Sequence, residues 1–187
     1  IFLQQDKPVV GMTHGEITNT IFNEPLFGYA ESGLCSTLID YGDVRLRTPL
    51  NKPLTQPKRI LARTSMPVQR IRKKSEKNWK VRKISNGYLY IPTLYNGAQH
   101  YGPYRSFEDS LYVRWQSELI SAVPDIAIKP HPKSIPPSFE VKRDHRNLDR
   151  CYADYDTIIL DYYSTAATLM ISTHKPVIYF DIGLRNL

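Results

Sequence analysis

The stretch that decides the fold is residues 157–180, TIILDYYSTAATLMISTHKPVIYF. It opens with an apolar run (157–160), passes through a polar turn into a helix-forming segment (165–172), and ends in a second apolar run (177–180). A strand, a helix and a second strand at these spacings predict a right-handed βαβ unit with parallel strands. Because both runs are apolar on both faces, we expect both strands to be buried within the sheet.

The same alternation continues towards the N-terminus. We predict strands over 87–92 and 126–129, a helix over 108–123 between them, and a short helix over 147–154. The first of these helices carries its apolar side chains at helical spacing, which predicts a core-facing surface formed by Leu111, Trp115, Leu119 and Ile120. The fold class that follows is α/β, a Rossmann-like parallel sheet with flanking helices.

Residues 1–86 lack this regular alternation of predicted strands and helices. Two short strands are predicted, over 8–12 and 36–41, and residues 43–83 combine four prolines with a run of basic residues. We therefore divide the chain into an N-terminal α/β segment (1–57), a basic linker (58–86) and a Rossmann-like domain (87–187). The sequence ends at Leu187, a few residues after the last predicted strand and without a covering helix, which suggests a fragment truncated at the C-terminus. An intact mass of the native gene product near 21.6 kDa would contradict that interpretation.

Composition is that of a soluble globular protein, with 41% hydrophobic and 23% charged residues among 187. The two cysteines, Cys35 and Cys151, lie far apart in no paired motif, which suits a reducing compartment. No apolar run approaches the roughly 20 residues that span a bilayer. We expect a cytoplasmic protein, and the net charge of +7 favours anionic partners.

Much of that charge lies in residues 58–83, which hold eleven Lys or Arg and one acid, Glu76. This run could be a solvated linker, or a patch that holds the protein peripherally at the inner face of the plasma membrane against anionic lipids. A nucleic-acid arm is disfavoured, because Trp79 is the run's one aromatic residue and single-strand binding needs interleaved aromatic side chains.

Ligands of doubly wound sheets bind beyond the carboxyl ends of the strands, where three predicted loops meet. A lysine and a proline-flanked histidine follow the strand at 126–129, and hydroxyl groups begin the helix at 165. Hydroxyls, helix N–H groups and a histidine suit a phosphate. The candidate donor-binding residues are Thr93, Lys129, His131, Pro132, Asp161, Ser164 and Thr165. Singly, Ser164 could be a helix cap, and Asp161 and His131 could be turn residues.

The ordered set Lys129-Pro130-His131-Pro132, Asp161-x-x-Ser164-Thr165 and Lys175-Pro176 resembles the donor-binding domain of GT-B transferases that build bacterial surface polysaccharides. Two branches are similar: the CMP-sugar-dependent Kdo transferases and sialyltransferases, and the CDP-glycerol glycerophosphotransferases. The resemblance covers about residues 87–180. It implies one half of a GT-B architecture, in which His131 and the Ser164–Thr165 pair contact the donor phosphate.

A second motif, Thr13-His14-Gly15-Glu16, ends the first predicted strand. The CDP-glycerol branch carries a His-Gly motif at such a position, which implies that His14 is the general base for the acceptor hydroxyl, with Glu16 orienting it or taking that role. Glu16 departs from the small or polar residue of that pattern, and a loop histidine before a turn glycine is the alternative interpretation.

We therefore expect an inverting, metal-independent transferase, with His14, Glu16 and His131 as catalytic candidates. It would move a sugar or polyol phosphate from a cytidine-nucleotide donor to a glycan or lipid-linked acceptor at the bacterial cell surface, without a resident cofactor. The Cys and His residues show no zinc spacing, and no metal site is predicted. The alternatives are a CDP-glycerol-type glycerophosphotransferase, a non-catalytic nucleotide-sugar-binding domain, and a basic nucleic-acid-binding domain.

Overall fold

Two units make up the part of the chain that the computed structural model describes, one ending at Gln69 and one beginning at Arg70. The described residues are 7–12, 35–41, 59–79, 87–92, 109–132, 134, 139–162 and 164–181. Each unit is built on its own parallel sheet.

The first unit contains a three-stranded parallel sheet of order β1-β2-β3, formed by Val10–Met12, Thr37–Tyr41 and Arg59–Arg63. Its first two strands confirm the strands expected near residues 8–12 and 36–41. Leu38 of the central strand is buried, and the Ser36 hydroxyl both accepts from the Val9 N–H and donates to the Val9 carbonyl, each at 3.0 Å. The side chain of Ser36 thereby extends the β1–β2 pairing beyond its strands.

The segment interpreted from sequence as a linker contains β3 and a fourteen-residue helix, α1 (Met66–Trp79). Ser65 caps this helix: its hydroxyl accepts from the Val68 N–H at 3.5 Å and its carbonyl from the Gln69 N–H at 3.0 Å. Pro67 is tolerated because it lies in the first turn, where an N–H would have no helical partner. The lysines and arginines that follow are good helix formers, so a pattern that suggested a linker folds as a helix.

The second unit confirms the Rossmann-like prediction. Its five parallel strands have the order β6-β5-β4-β7-β8 and comprise Lys142–Arg143, Ile126–Ile128, Tyr88–Ile91, Thr157–Leu160 and Val177–Tyr179. Counted along the chain from β4, this is the order 3-2-1-4-5 of doubly wound dinucleotide-binding folds. The strand order therefore reverses between β4 and β7.

Helices cover both faces of this sheet. The remaining helices are α2 (Asp109–Ala122), α3 (Leu148–Cys151), which continues as a 3₁₀ turn over Tyr152–Asp154, and α4 (Thr165–Ile171). One face packs against α2, through Tyr90, Ile128 and Ile159. The opposite face packs against α1, α3 and α4. Alternate residues of β4 face opposite layers, as the period of a strand requires: Tyr90 faces α2, whereas Leu89 and Ile91 face the other layer.

Two burial expectations are wrong. Leu111 on α2 is 39% exposed, and the neighbouring Tyr112 is buried at 3%. A hydrogen bond satisfies the Tyr112 hydroxyl inside the protein, which lets this larger side chain occupy the inner face in place of leucine. In β8, Ile178 and Tyr179 are about 40% exposed. β8 is the last strand in the described sheet, and an edge strand is covered less completely than a central one.

None of the helices that the structure describes combines the length and apolarity needed to cross a bilayer.

Candidate functional site

The predicted site lies where the strand order reverses. Tyr90 pairs with Ile128 on β5, and Ile91 pairs with Leu160 on β7, so the three strands end side by side. The Lys129 N–H continues the pairing by donating to the Tyr90 carbonyl at 2.8 Å. This register confirms the expected common edge: the loops that follow β4, β5 and β7 begin together there, with β5 and β7 about 10 Å apart on either side of β4.

His131 lies in a tight turn beyond β5. Its carbonyl accepts from the Ser134 N–H at 2.9 Å, which closes the turn, and its side chain is exposed, as is that of Pro132. Lys129 is half-buried, and its ammonium donates to the Pro130 carbonyl at 3.3 Å. The turn therefore presents the imidazole to solvent at the carboxyl edge, beside a cation held by the same loop.

Ser164 and Thr165 begin α4 beyond β7. Ser164 is extended (φ −141°, ψ 176°), and its carbonyl accepts from the Ala167 N–H at 2.8 Å. Among the described residues its hydroxyl makes no cap hydrogen bond, so capping does not account for this side chain. Because α4 has only seven residues, its dipole is a minor source of attraction for an anion, and the hydroxyl groups matter more.

Asp161 occupies a different position from the one the sequence suggested. It is 3% exposed, and its Oδ2 accepts hydrogen bonds from the hydroxyls of Tyr90 and Tyr112, each at 2.5 Å. The Tyr90 hydroxyl in turn accepts from Gln116 Nε2 at 3.0 Å. We call these four side chains the Asp161 network. A carboxylate repels phosphate, so the geometry assigns Asp161 to holding the β7–α4 loop rather than to touching a donor.

Within this network, the Tyr90 hydroxyl keeps its proton at neutral pH. Burial raises the pKa of Tyr90 well above its ordinary value of 10.0, and the negative charge of Asp161 raises it further. The Tyr90 hydroxyl therefore stays protonated and continues to donate to the carboxylate. The network ties the end of β4, helix α2 and the loop after β7 into one structure beneath the carboxyl edge.

Aromatic rings extend this structure towards β8. The Trp115 ring is stacked on that of Tyr112, with centroids 6.2 Å apart, and meets Phe180 edge-on at 5.8 Å. The Phe180 N–H donates to the Leu160 carbonyl at 2.8 Å, which places this residue directly beyond the end of β8. Trp115 was expected to pack in the core. Tyr112, Gln116 and Phe180 were not singled out as site residues, although the i, i+4 spacing of the first two was visible in the sequence.

A separate charged cluster joins the residues that follow β6 to the turn that precedes β7. Arg146 donates to both carboxylate oxygens of Asp144, at 3.0 and 2.6 Å, and to Asp154 at 2.6 Å, while the Tyr155 hydroxyl donates to Asp144 at 3.0 Å. The hydrogen bonds from Arg146 lower the pKa of Asp144 from 3.8 to about 2, against the opposing effect of burial. A cleft of about 810 Å³ adjoins this cluster, lined by Gly87, Asp125, Lys142, Arg143, Asp144, His145, Arg146, Asp154 and Tyr155.

The chain contains one acidic tripeptide of the Asp-x-Asp form, Asp154-Tyr155-Asp156. Asp154 is paired with Arg146, and Tyr155 is buried. Within the described ranges, no group of three or more His, Cys, Asp or Glu side chains is arranged to hold a metal ion. The tripeptide lies before β7, at the edge away from His131 and Ser164.

Three candidates, His14, Glu16 and Thr93, lie outside the described residues. Their assignments stay predictions, and the described part of the site consists of the β5 and β7 loops with the Asp161 network beneath them.

In comparisons with known proteins, no protein-family model, no curated protein and no solved structure matches this chain.

Proposed function

We propose that this chain is the donor-binding part of a transferase that uses a nucleotide-activated, phosphate-containing donor. The observation that carries the proposal is the reversal of strand order between β4 and β7, with polar loops from β5 and β7 beginning at that edge. Open parallel sheets bind their ligands at such a reversal, because the diverging loops leave a crevice between them. The resemblance of the loop motifs to GT-B transferases favours a cytidine nucleotide.

In this proposal the exposed His131 imidazole donates a hydrogen bond to a donor phosphate oxygen. When protonated, it stabilises the charge that develops on the leaving nucleotide. Ser164 and Thr165 supply hydroxyl donors from the neighbouring loop, and the positive charge of Lys129 attracts the donor phosphate. Asp161 holds the β7 loop through its tyrosine partners and does not bind the donor.

The acceptor half of the reaction rests on residues outside the described ranges. His14 would act as the general base that deprotonates the acceptor hydroxyl, with Glu16 orienting it or taking its place. The transferred group would be a sugar or polyol phosphate, and the acceptor a glycan or lipid-linked chain of the bacterial surface. The reaction is proposed to be inverting and independent of a metal ion.

Calorimetric titration of the full chain with CMP, CDP and UDP tests the donor assignment. We expect CMP or CDP to bind more tightly than UDP, and His131→Ala to weaken binding at least tenfold, the effect of one charge-assisted hydrogen bond. His174→Ala is the matched control, since His174 is also exposed but precedes β8, at the opposite edge. Absence of binding by all three nucleotides, or equal affinity in the two variants, would overturn the site.

Turnover is a separate test, because a nucleotide-binding domain can lack chemistry. A cytidine-nucleotide donor, supplied to the full-length protein with extracted surface glycan, should release free CMP. CMP is the leaving group both when a sugar is transferred from a CMP-sugar and when a polyol phosphate is transferred from a CDP-polyol. Tight nucleotide binding without any release would contradict the transferase and support a non-catalytic binding domain.

A further inference from the structure

Helix α1 carries a row of basic side chains on its outer face. Arg70, Lys73 and Lys77 are all exposed and are spaced three and four residues apart, which places them on one side of the helix. We call these three residues the basic row. They lie opposite Ile71 and Ser75, which are 4% and 7% exposed.

The buried face of α1 determines the direction of this row. Ile71 packs in the core cluster that includes Leu89 and Met170. The Ser75 hydroxyl donates to the Thr173 carbonyl at 2.5 Å, and the Lys74 ammonium donates to the Asp149 carbonyl at 2.6 Å. At 100° per residue, the basic row then points away from the core into which Ile71 packs. Its outward position therefore follows from tertiary packing on the inner face.

The charge of the row is not neutralised on the helix itself. Residues 70–77 contain five bases and one acid, Glu76, which pairs with Arg72 at 2.9 Å. Within the described part of the chain, none of Arg70, Lys73 and Lys77 makes an ion pair. The row is thus an uncompensated strip of three positive charges, about 10 Å long at 1.5 Å per residue.

We propose that the basic row docks this unit onto an anionic lipid surface. A straight row on the convex side of a helix can meet a flat charged surface along its whole length, and each Lys or Arg near such a surface strengthens binding about fivefold. A single-stranded nucleic acid needs aromatic side chains between the charges on which bases can stack, and residues 70–77 contain none. The proposal stands on α1 alone and does not depend on the donor site.

Co-sedimentation with lipid vesicles tests the proposal on the full chain. The probes are vesicles of phosphatidylcholine alone and of phosphatidylcholine mixed with phosphatidylserine, at low and at physiological salt. The test variant replaces the row with glutamine (R70Q, K73Q, K77Q). The control variant removes three charges elsewhere on the same unit (R114Q, K142Q, R143Q), so the total charge of the two variants is equal.

We expect the native chain and the control variant to sediment with the mixed vesicles and not with phosphatidylcholine alone. The row variant should bind the mixed vesicles about a hundredfold more weakly than the native chain. Circular dichroism and urea unfolding establish that both variants fold.

Three outcomes would overturn the proposal. Equal losses in the two variants would show that net charge, rather than the row, attracts the lipid. Equal binding to neutral and anionic vesicles would show that charge is not involved. Tighter binding of a mixed-sequence single-stranded RNA than of the anionic vesicles, at the same salt and lost in the row variant, would assign the row to nucleic acid instead.

Discussion

The Asp161 network predicts that removing the hydroxyl of Tyr90 destabilises the fold more than removing the hydroxyl of Tyr112. Tyr90 and Tyr112 each donate one hydrogen bond to the Asp161 carboxylate, but only the Tyr90 hydroxyl also accepts from Gln116. Replacing either tyrosine with phenylalanine removes one oxygen and leaves the ring packing intact. The two substitutions should therefore destabilise the fold unequally.

Tyr112→Phe removes the hydrogen bond that this hydroxyl donates to the buried Asp161 carboxylate, which corresponds to about 2 kcal/mol of unfolding free energy. Tyr90→Phe removes an equivalent bond and also leaves the buried Gln116 amide donor without its acceptor, which adds about 1 to 2 kcal/mol. We therefore expect a loss of about 3 to 4 kcal/mol for Tyr90→Phe. Because both tyrosines share one carboxylate oxygen, the double variant should depart from the sum of the two losses.

Urea unfolding followed by circular dichroism measures these differences. Tyr88→Phe is the matched control, since Tyr88 lies on the same strand and is only half-buried. This control should change the unfolding free energy by less than about 0.5 kcal/mol. A larger loss for Tyr112→Phe than for Tyr90→Phe, or a Tyr90→Phe variant as stable as the control, would refute the network as described.

Two further predictions concern other parts of the second unit. The pKa of Asp144 is lowered in the folded state, so its contribution to stability is present above pH 4 and is lost as the pH falls towards about 2. Asp144→Asn should cost about 1 to 2 kcal/mol at pH 7, a value reduced because its partner Arg146 is half-exposed, and almost nothing near pH 2. A stability difference that stays constant over this range in urea unfolding would contradict the assignment, and Asp149→Asn is the exposed control. His174 follows α4 with φ near 60°, a conformation that glycine adopts without steric cost, so His174→Gly should raise the unfolding free energy by about 0.5 to 1 kcal/mol. A melting temperature that falls in His174→Gly, or rises equally in His174→Ala, would refute that reasoning.

Much of the second unit was predictable from sequence because its strands are short apolar runs separated by clear breaks. The strand predicted at 157–160 has the bounds observed, and the predicted helix at 165–172 differs from α4 by one residue. β6 was missed, since Lys142 and Arg143 are both charged and their pairing with β5 follows from position rather than from hydropathy. Helix α1 was missed because Pro67 and dense positive charge resemble a linker when capping is not considered.

The candidate site divides in the same way. Parallel strands must end at a common edge, so the sequence could place the His131 and Ser164 loops together without coordinates. It could not show that the Asp161 carboxylate is buried, because the two hydroxyls that it accepts from lie 71 and 49 residues away along the chain. Contacts over such separations leave no local pattern.

The sequence by itself determined the periodicity of strands and helices, the excess of positive charge, and the polar residues that follow β5 and β7. Those properties depend on near neighbours in the chain, through backbone preference and the alternation of apolar side chains. Only the tertiary structure decided which face of α1 is buried and where its basic row points. It also decided that the Asp161 side chain is buried and holds the loop after β7. These depend on packing between elements distant in sequence, since a side chain is buried or exposed according to what lies against it.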